Sequence, residues 1–196
     1  MRRTASPVEL ARRALRTVRR LLGFSPQRRE ATLELPAWAR VGGKRRAHIQ
    51  RVAELVELWA EGMGVSPRER ERWLSAVWLH DALRDARLKR GTTHGAAAAD
   101  RAARDGESDR GVLEAVRYHS VGYAGWDDVG KMLYLADYLE PGRKRRAKQR
   151  AELAERVPRE RDGVLREVVA QQIRDRLRSG RPIDPHTLEF WNSLAR

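Results

Sequence analysis

The chain of 196 residues carries 41 Lys and Arg against 27 Asp and Glu, a formal net charge of +14, and no cysteine. The missing thiols exclude disulfide scaffolds, cysteine-ligated zinc and cysteine nucleophiles. No run of about 18 apolar residues offers a membrane span, and the Arg-studded start lacks the apolar centre of a secretory leader, so a cytoplasmic protein is expected.

Ser6-Pro7-Val8-Glu9 sets an N-cap, a proline at the first helical position and a glutamate at the third, opening a helix that runs to Gly23. Val8, Leu15, Val18 and Leu22 fall near one stripe of it, with Arg12, Arg13, Arg16, Arg19 and Arg20 largely elsewhere. This helix reads either as an anchor on anionic lipid or RNA, or as a solvated helix laid on the domain. Pro26 and Pro36 interrupt the segment after this helix and composition changes near Gly42-Gly43, so residues 1–40 are expected to be a basic extension and 41–196 the folded domain. Helices are then predicted over 44–61, 67–84, 94–104, 109–120, 127–140, 145–156 and 159–179. Ser66-Pro67-Arg68-Glu69 repeats the first capping device, and Asp184-Pro185 opens a last short helix. Gly62, Gly64, Gly106, Gly122, Gly125, Pro141-Gly142 and Gly180 supply the stops. No segment alternates apolar and polar residues with β-branched enrichment, so the expected class is all-α, a helical bundle with an extra basic N-terminal helix.

Charge is unevenly spread. Residues 1–46 hold 13 basic and 3 acidic groups (net +10), residues 47–142 hold 13 and 16 (net −3), and residues 143–196 hold 15 and 8 (net +7). A near-neutral middle between cationic flanks suits the capture of a small polyanion better than a dedicated duplex-binding surface, although weak RNA or anionic-surface contact through the flanks stays open.

The middle also holds most of the histidines. His48 shares a stripe with Val52, Leu55 and Trp59, spaced by 4, 7 and 11 residues, so it faces inward. His80 follows Trp73 and Val77, Asp81 follows Leu74 and Val77, and this adjacent pair points at the core together. His119 follows Val112, Ala115 and Val116, and Asp137 follows Gly130, Leu133 and Tyr134 inside an apolar run. A lone inward histidine is usually a hydrogen-bonded core residue. A carboxylate is harder to bury, because unpaired it costs several kcal/mol unless a cation meets it. Two carboxylates and three or four imidazoles directed inward from several helices form a mixed N/O set that suits iron, manganese, zinc or cobalt.

These residues resemble the HD superfamily of metal-dependent phosphohydrolases, whose pattern of H, HD and D on helices is met in order by His48, His80-Asp81 and Asp137. More narrowly, the strings Arg45-Arg46-Ala47-His48, Leu79-His80-Asp81, His94-Gly95, Glu114 to Ser120 and Tyr134 to Arg143 resemble the YqeK family. That family hydrolyses diadenosine tetraphosphate symmetrically to two ADP, with iron as the favoured metal. The likeness covers about residues 44–143, returns faintly at 182–187 and 191–192, and leaves 1–40 uncovered. It implies that His48, His80, Asp81 and Asp137 are metal ligands and that Arg45, His94, His119, Arg143 and the Ser120-Val121-Gly122-Tyr123 turn contact the substrate. It leaves one or two ions open, since His94 and His119 alternatively hold a second, and it places Asp81 where water is oriented or deprotonated.

Three departures bear on the substrate. Arg84 stands at a catalytic position where the family usually has Lys, which keeps charge but changes geometry. Tyr123 replaces a cation in the turn after His119, and only 13 residues separate Asp81 from His94, where relatives insert more. Alternatives therefore remain: another nucleotide or a phosphomonoester as substrate, or an RNA- or ribosome-associated module with a non-catalytic HD core. Monomer and homodimer are both open. The run from Arg143 to Arg150 has six basic residues in eight, read either as a polyphosphate or RNA contact or as a solvated face. Trp59, Trp73 and Trp78 read as core, Trp126 and Tyr123 as candidates for stacking on adenine, and His186 as a surface residue.

Overall fold

A computed structural model of the protein describes residues 34–195, and the helix predicted from Ser6 to Gly23 lies outside them. The described residues form seven helices and no strand: α1 (Gly43–Gly62), α2 (Pro67–His80), α3 (His94–Arg104), α4 (Arg110–Tyr118), α5 (Asp128–Leu139), α6 (Ala147–Arg178) and α7 (Pro185–Leu194). The all-α expectation is met.

Local chemistry starts most of them. Ser66 Oγ accepts from Glu69 N at 3.2 Å ahead of Pro67, and Thr93, Asp109, Asp127 and Asp184 cap α3, α4, α5 and α7 in the same way. α5 is apolar around most of its girth. Met132, Leu133, Tyr134, Leu135 and Ala136 are all buried, and the helix packs on α1, α2, α4 and α6 as the central element. Trp59, Trp73 and Phe190 fill the spaces around it, the first two as predicted.

Two boundaries differ from the sequence reading. α2 ends at His80 rather than at residue 84, because Asp81 (φ −110°, ψ 13°) leaves the helix and Ala82 and Arg84 close turns back on Leu79 and Asp81. α6 is one 32-residue run with a kink at Glu160 (φ −137°, ψ 36°), where two helices were predicted around Pro158. Pro158 has no N–H to offer the carbonyl four residues earlier, that of Ala154. Trp59 Nε1 donates to that carbonyl at 3.0 Å in the buried interface, so the helix bends and continues.

Residues 34–42 are bound to the domain. Arg40 N donates to Ala82 O at 2.7 Å, Asp85 N to Arg40 O at 3.2 Å, and Gly42 N to the Asp85 carboxylate at 2.8 Å. This strap braces the turn that leaves α2 through Asp81.

Candidate metal and phosphate centre

Five helices bring the inward histidines and carboxylates to one place. His48 comes from α1, His80 from the last position of α2, His94 from the first of α3, His119 from the residue after α4, and Asp137 from α5, with Asp81 following α2. Gly95 makes one approach close. A Cβ there would lie 2.7 Å from Val116 O and 2.8 Å from Arg117 O, so only glycine lets α3 start against the end of α4. His94 Nε2 and His119 Nε2 consequently lie 3.0 Å apart.

The donor atoms fall into two triads. His48, His80 and Asp137 form one, and Asp81, His94 and His119 the other; within each, one ligand atom per residue lies within 4.8 Å of the others. His48 Nε2 is 3.1 Å from Asp137 Oδ1, and His94 Nε2 is 3.1 Å from Asp81 Oδ1. Asp81 faces both sets: its Oδ1 lies 3.6 Å from His119 Nε2, while its Oδ2 lies 3.6 Å from His80 Nε2 and 3.8 Å from His48 Nε2.

Hydrogen bonds on the outer side of the rings determine which nitrogen faces the centre. Nδ1 of His80 and of His119 each donates to a carbonyl three residues earlier, Val77 O and Val116 O, both at 2.7 Å. Nδ1 of His48 donates to Glu140 Oε1 at 3.2 Å. With Nδ1 carrying the proton, each ring turns the lone pair of Nε2 inward. The buried Nε2 atoms of His48 and His80 have no assigned hydrogen-bond partner among the described residues, although Asp137 Oδ1 lies 3.1 Å from the first.

The protonation states of His80, Asp81 and Asp137 agree with this arrangement, while His48 is drawn toward its protonated form, whose inward proton a bound cation would displace. Burial pushes the fully enclosed His80 down to about 4 despite Asp81 beside it, which keeps the ring neutral at pH 7. Burial opposes ionisation of Asp81, but His119 and His94 more than offset it and hold the carboxyl well below the usual range. His48 and Arg143 do the same for Asp137 against its burial. For His48 burial lowers the pKa, yet Asp137 and Glu140 outweigh it and the net direction is up. Neutral imidazole lone pairs, ionised carboxylates and orphaned buried nitrogens are the donor chemistry a divalent cation needs, and the residues present fit one.

Glu140 escaped the sequence reading although it lies three residues after Asp137 in the same string. It is 2% exposed, accepts from Arg51 Nε and Gly142 N at 2.6 Å each, and is pulled down to about 2 by His48 and Arg51 against its burial. A Cβ on Gly142 would collide with the Arg51 guanidinium, so that glycine leaves the room in which Arg51 reaches Glu140. The signal for Glu140 in the sequence is an acidic side chain one helical turn from a ligand on a buried helix.

A cavity of about 250 Å³ opens beside the two triads. Arg45, Arg84, Arg143, His94, His119 and Ser120 line it with Asp81 and Asp137. Arg45 Nη1 donates to Asp81 Oδ2 at 2.7 Å, Arg84 Nη1 lies 3.0 Å from His94 Nδ1, and Arg143 pairs with the Asp137 carboxylate and donates from Nε to Asp137 O at 2.7 Å. Ser120 Oγ lies 3.1 Å from His119 Nε2. Tyr134, Tyr138 and Gln172 also line the cavity and went unnoticed in the sequence.

Gly122 and Tyr123 sit elsewhere: Gly122 (φ +90°) abuts Phe190, and Tyr123 stacks on Tyr118 at 4.6 Å. Trp126, read as a stacking candidate, is instead a core residue, 5% exposed, with Nε1 donating to Glu114 O at 3.1 Å. His186 is half-buried against Tyr118, 4.9 Å between ring centres, rather than free on the surface. Three of the six cations in the basic run, Arg143, Arg146 and Arg150, are partly buried, while Lys144, Arg145 and Lys148 are exposed. Arg145 and Arg146 pair with Asp175 at 3.4 and 2.8 Å, and Arg150 lies 3.8 Å over the Tyr138 ring.

An all-helical domain that gathers four imidazoles and two carboxylates beside one cation-rimmed cavity defines the class: a buried histidine–aspartate cluster with the donors for a metal ion. The sequence profile of the HD domain matches residues 45–142, half of the chain, and the chain belongs to that family. Two curated relatives are each named bis(5'-nucleosyl)-tetraphosphatase, symmetrical. The one from Halalkalibacterium halodurans is 29% identical over 45% of this chain and 46% of its own length. The one from Bacillus subtilis is 45% identical over 19% of this chain and 20% of its own. The matched region therefore spans less than half the length of either. The fold also aligns with a crystal structure from Clostridium acetobutylicum, described as a predicted HD superfamily hydrolase involved in NAD metabolism, with a TM-score of 0.67 and 23% identity over 79% of this chain and 90% of that one. Among the described residues no helix is long and apolar enough to cross a membrane.

Proposed function

We propose that this chain is a metal-dependent phosphohydrolase acting on a nucleoside polyphosphate, in the first place diadenosine tetraphosphate, cut between its two inner phosphates to give two ADP. The observation that carries the reading is the pair of His/Asp triads opening onto a cavity rimmed by Arg45, Arg84 and Arg143. The names of the two curated relatives support the particular substrate.

His48, His80, Asp137 and Asp81 would hold the ion, with His94 and His119 beside them or around a second one. Iron is the first choice and manganese, cobalt or zinc the alternatives, all compatible with nitrogen and oxygen donors. A divalent ion bound there lowers the pKa of water and neutralises phosphoryl charge.

The chain's own groups do the rest. Arg45, Arg84 and Arg143 draw in and clamp the phosphates, and they meet the charge that builds on the equatorial oxygens. Water oxygen bonds to one inner phosphorus as the bridging oxygen departs with the other ADP, and the Asp81 carboxylate aligns that water. So depressed a carboxyl is suited to orienting water and poorly suited to keeping its proton. His119, with its Nδ1 hydrogen held by Val116 O, and Ser120 line the cavity and would meet the phosphates there.

A second reading, hydrolysis of a smaller nucleotide or a phosphomonoester, is favoured by the 250 Å³ cavity, which does not enclose a whole dinucleoside. Metal analysis of the purified chain, with product chromatography after incubation with diadenosine tetraphosphate, separates them. Two ADP per substrate, lost in Asp81→Ala, is expected. ATP plus AMP would contradict symmetrical cleavage, and RNA binding with steep salt dependence and no turnover would replace the enzyme reading with a binding module.

A further inference from the structure

The cavity lining divides by element. Arg45, Arg84, His94, His119 and Ser120, on α1 and in or beside the segments joining α2 to α5, make one wall of cations and imidazoles. Tyr134, Tyr138 and Gln172, on α5 and α6, contribute a second wall of neutral aromatic and amide groups, with the charged Asp137 and Arg143 lining the cavity beside them. A polyphosphate has no use for the second wall, whereas a nucleoside does. Gln172 moreover lies on the part of the chain that the family profile does not cover, so nothing about the shared metal site accounts for its place in the cavity.

Tyr138 is built to present its ring. The Arg150 guanidinium lies 3.8 Å over one face of it, and Arg150 is not itself among the residues lining the cavity. The Arg146 side chain faces the Tyr138 hydroxyl and is itself pinned to Asp175 at 2.8 and 3.0 Å. Arg146 holds a left-handed backbone (φ 56°), the one such non-glycine among the described residues. That conformation costs free energy, and it starts α6 with both Arg146 and Arg150 turned toward Tyr138. Next to it, the Gln172 amide faces the hydroxyl of buried Tyr134 and lines the cavity with a donor and an acceptor.

We propose that Tyr138 and Gln172 form the nucleoside subsite of this cavity, the base stacking on the braced Tyr138 ring and the Gln172 amide reading its edge; the inference rests on the reading of the chain as a nucleotide hydrolase. The subsite takes one nucleoside end, and ADP, the product half, is the ligand that probes it. Both residues then determine specificity, and neither takes part in the bond-making step.

The test is isothermal titration of the manganese-loaded full chain with ADP, GDP and inorganic pyrophosphate. Wild-type protein should bind ADP more tightly than pyrophosphate. Tyr138→Ala should weaken ADP by roughly 5- to 100-fold, the worth of a base–aromatic stack, and leave pyrophosphate within about twofold; Tyr138→Phe should retain most of the ADP affinity. Gln172→Leu should change the ratio of ADP to GDP affinity with pyrophosphate unmoved. The inference is overturned if ADP binds no tighter than pyrophosphate in wild type, if Tyr138→Ala weakens both ligands alike, or if the Gln172→Leu protein keeps the wild-type ratio. Wild-type protein that binds neither ADP nor pyrophosphate overturns the nucleotide reading and the subsite together, whereas tight pyrophosphate with no added affinity for ADP sinks only the subsite.

Discussion

Replacing Glu140 by Gln perturbs the centre without touching a ligand. The carboxylate accepts His48 Nδ1 at 3.2 Å, Arg51 Nε at 2.6 Å and Gly142 N at 2.6 Å, and its side chain is 3% exposed. The amide keeps the volume but has one acceptor oxygen, so its NH₂ group must face either Arg51 or the His48 N–H. Stability is affected first. The folded carboxyl lies at about 2 against an ordinary 4.5, so in the metal-free protein its ionised form contributes up to about 3 kcal/mol of stability near neutral pH. A depressed acid stabilises above its unfolded pKa and loses that contribution as pH falls through the folded value, so the loss falls between pH 4.5 and 2. Glu140→Gln should therefore lower stability at pH 7 and flatten the acid limb of the profile, read by denaturant unfolding at successive pH values. The ion is affected as well. With Nδ1 no longer held by a charged acceptor, His48 loses its fixed tautomer and orientation, and metal affinity should fall roughly 10- to 100-fold, read by competition with a fluorescent chelator. A variant that unfolds and binds manganese as wild type does at pH 7 would refute the role assigned to Glu140.

Other perturbations test the scaffold. Trp59→Phe removes the donor to Ala154 O and should cost roughly 1–3 kcal/mol for the orphaned carbonyl, beyond any cavity loss. Adding Pro158→Ala supplies a backbone N–H to the same carbonyl, so a double-mutant cycle in denaturant should show recovery, and strict additivity of the two changes would argue against the account of the kink. Gly95→Ala sets a methyl against Val116 O and Arg117 O, which should cost about 1–3 kcal/mol and part His94 from His119; thermal unfolding with metal titration checks it, and unchanged values in both would contradict the packing described.

His48, His80, Asp81, His119 and Asp137 were visible in the sequence because helical spacing shows which side chains share the apolar face, and an inward carboxylate calls for an explanation; for Asp137 part of it is Arg143, six residues on but off its stripe. Glu140 shares the helix region of Asp137, but its partner Arg51 is 89 residues away, and no local pattern announces that pairing. Trp126 in a turn resembled an exposed stacking platform, and only the packing of Phe190 and Tyr134 around it makes it core. The six basic residues from Arg143 to Arg150 suggested a charged surface. Arg146 and Arg150 instead meet Asp175, 29 residues on, and the face of the Tyr138 ring, engagements that no local pattern announces, while Lys144, Arg145 and Lys148 stay exposed.

By itself the sequence determined the helical class, most helix starts and which histidines and carboxylates face inward. These depend on hydrogen bonds and side-chain periodicity within a few residues, and such interactions are written locally. Tertiary packing alone decided that the donors divide into two triads with Asp81 between them, that Nε2 of three histidines faces the centre, and that α6 closes the cavity with Gln172. Those outcomes rest on distances between helices, which depend on how Gly95, Gly142 and the buried tryptophans let the backbones approach.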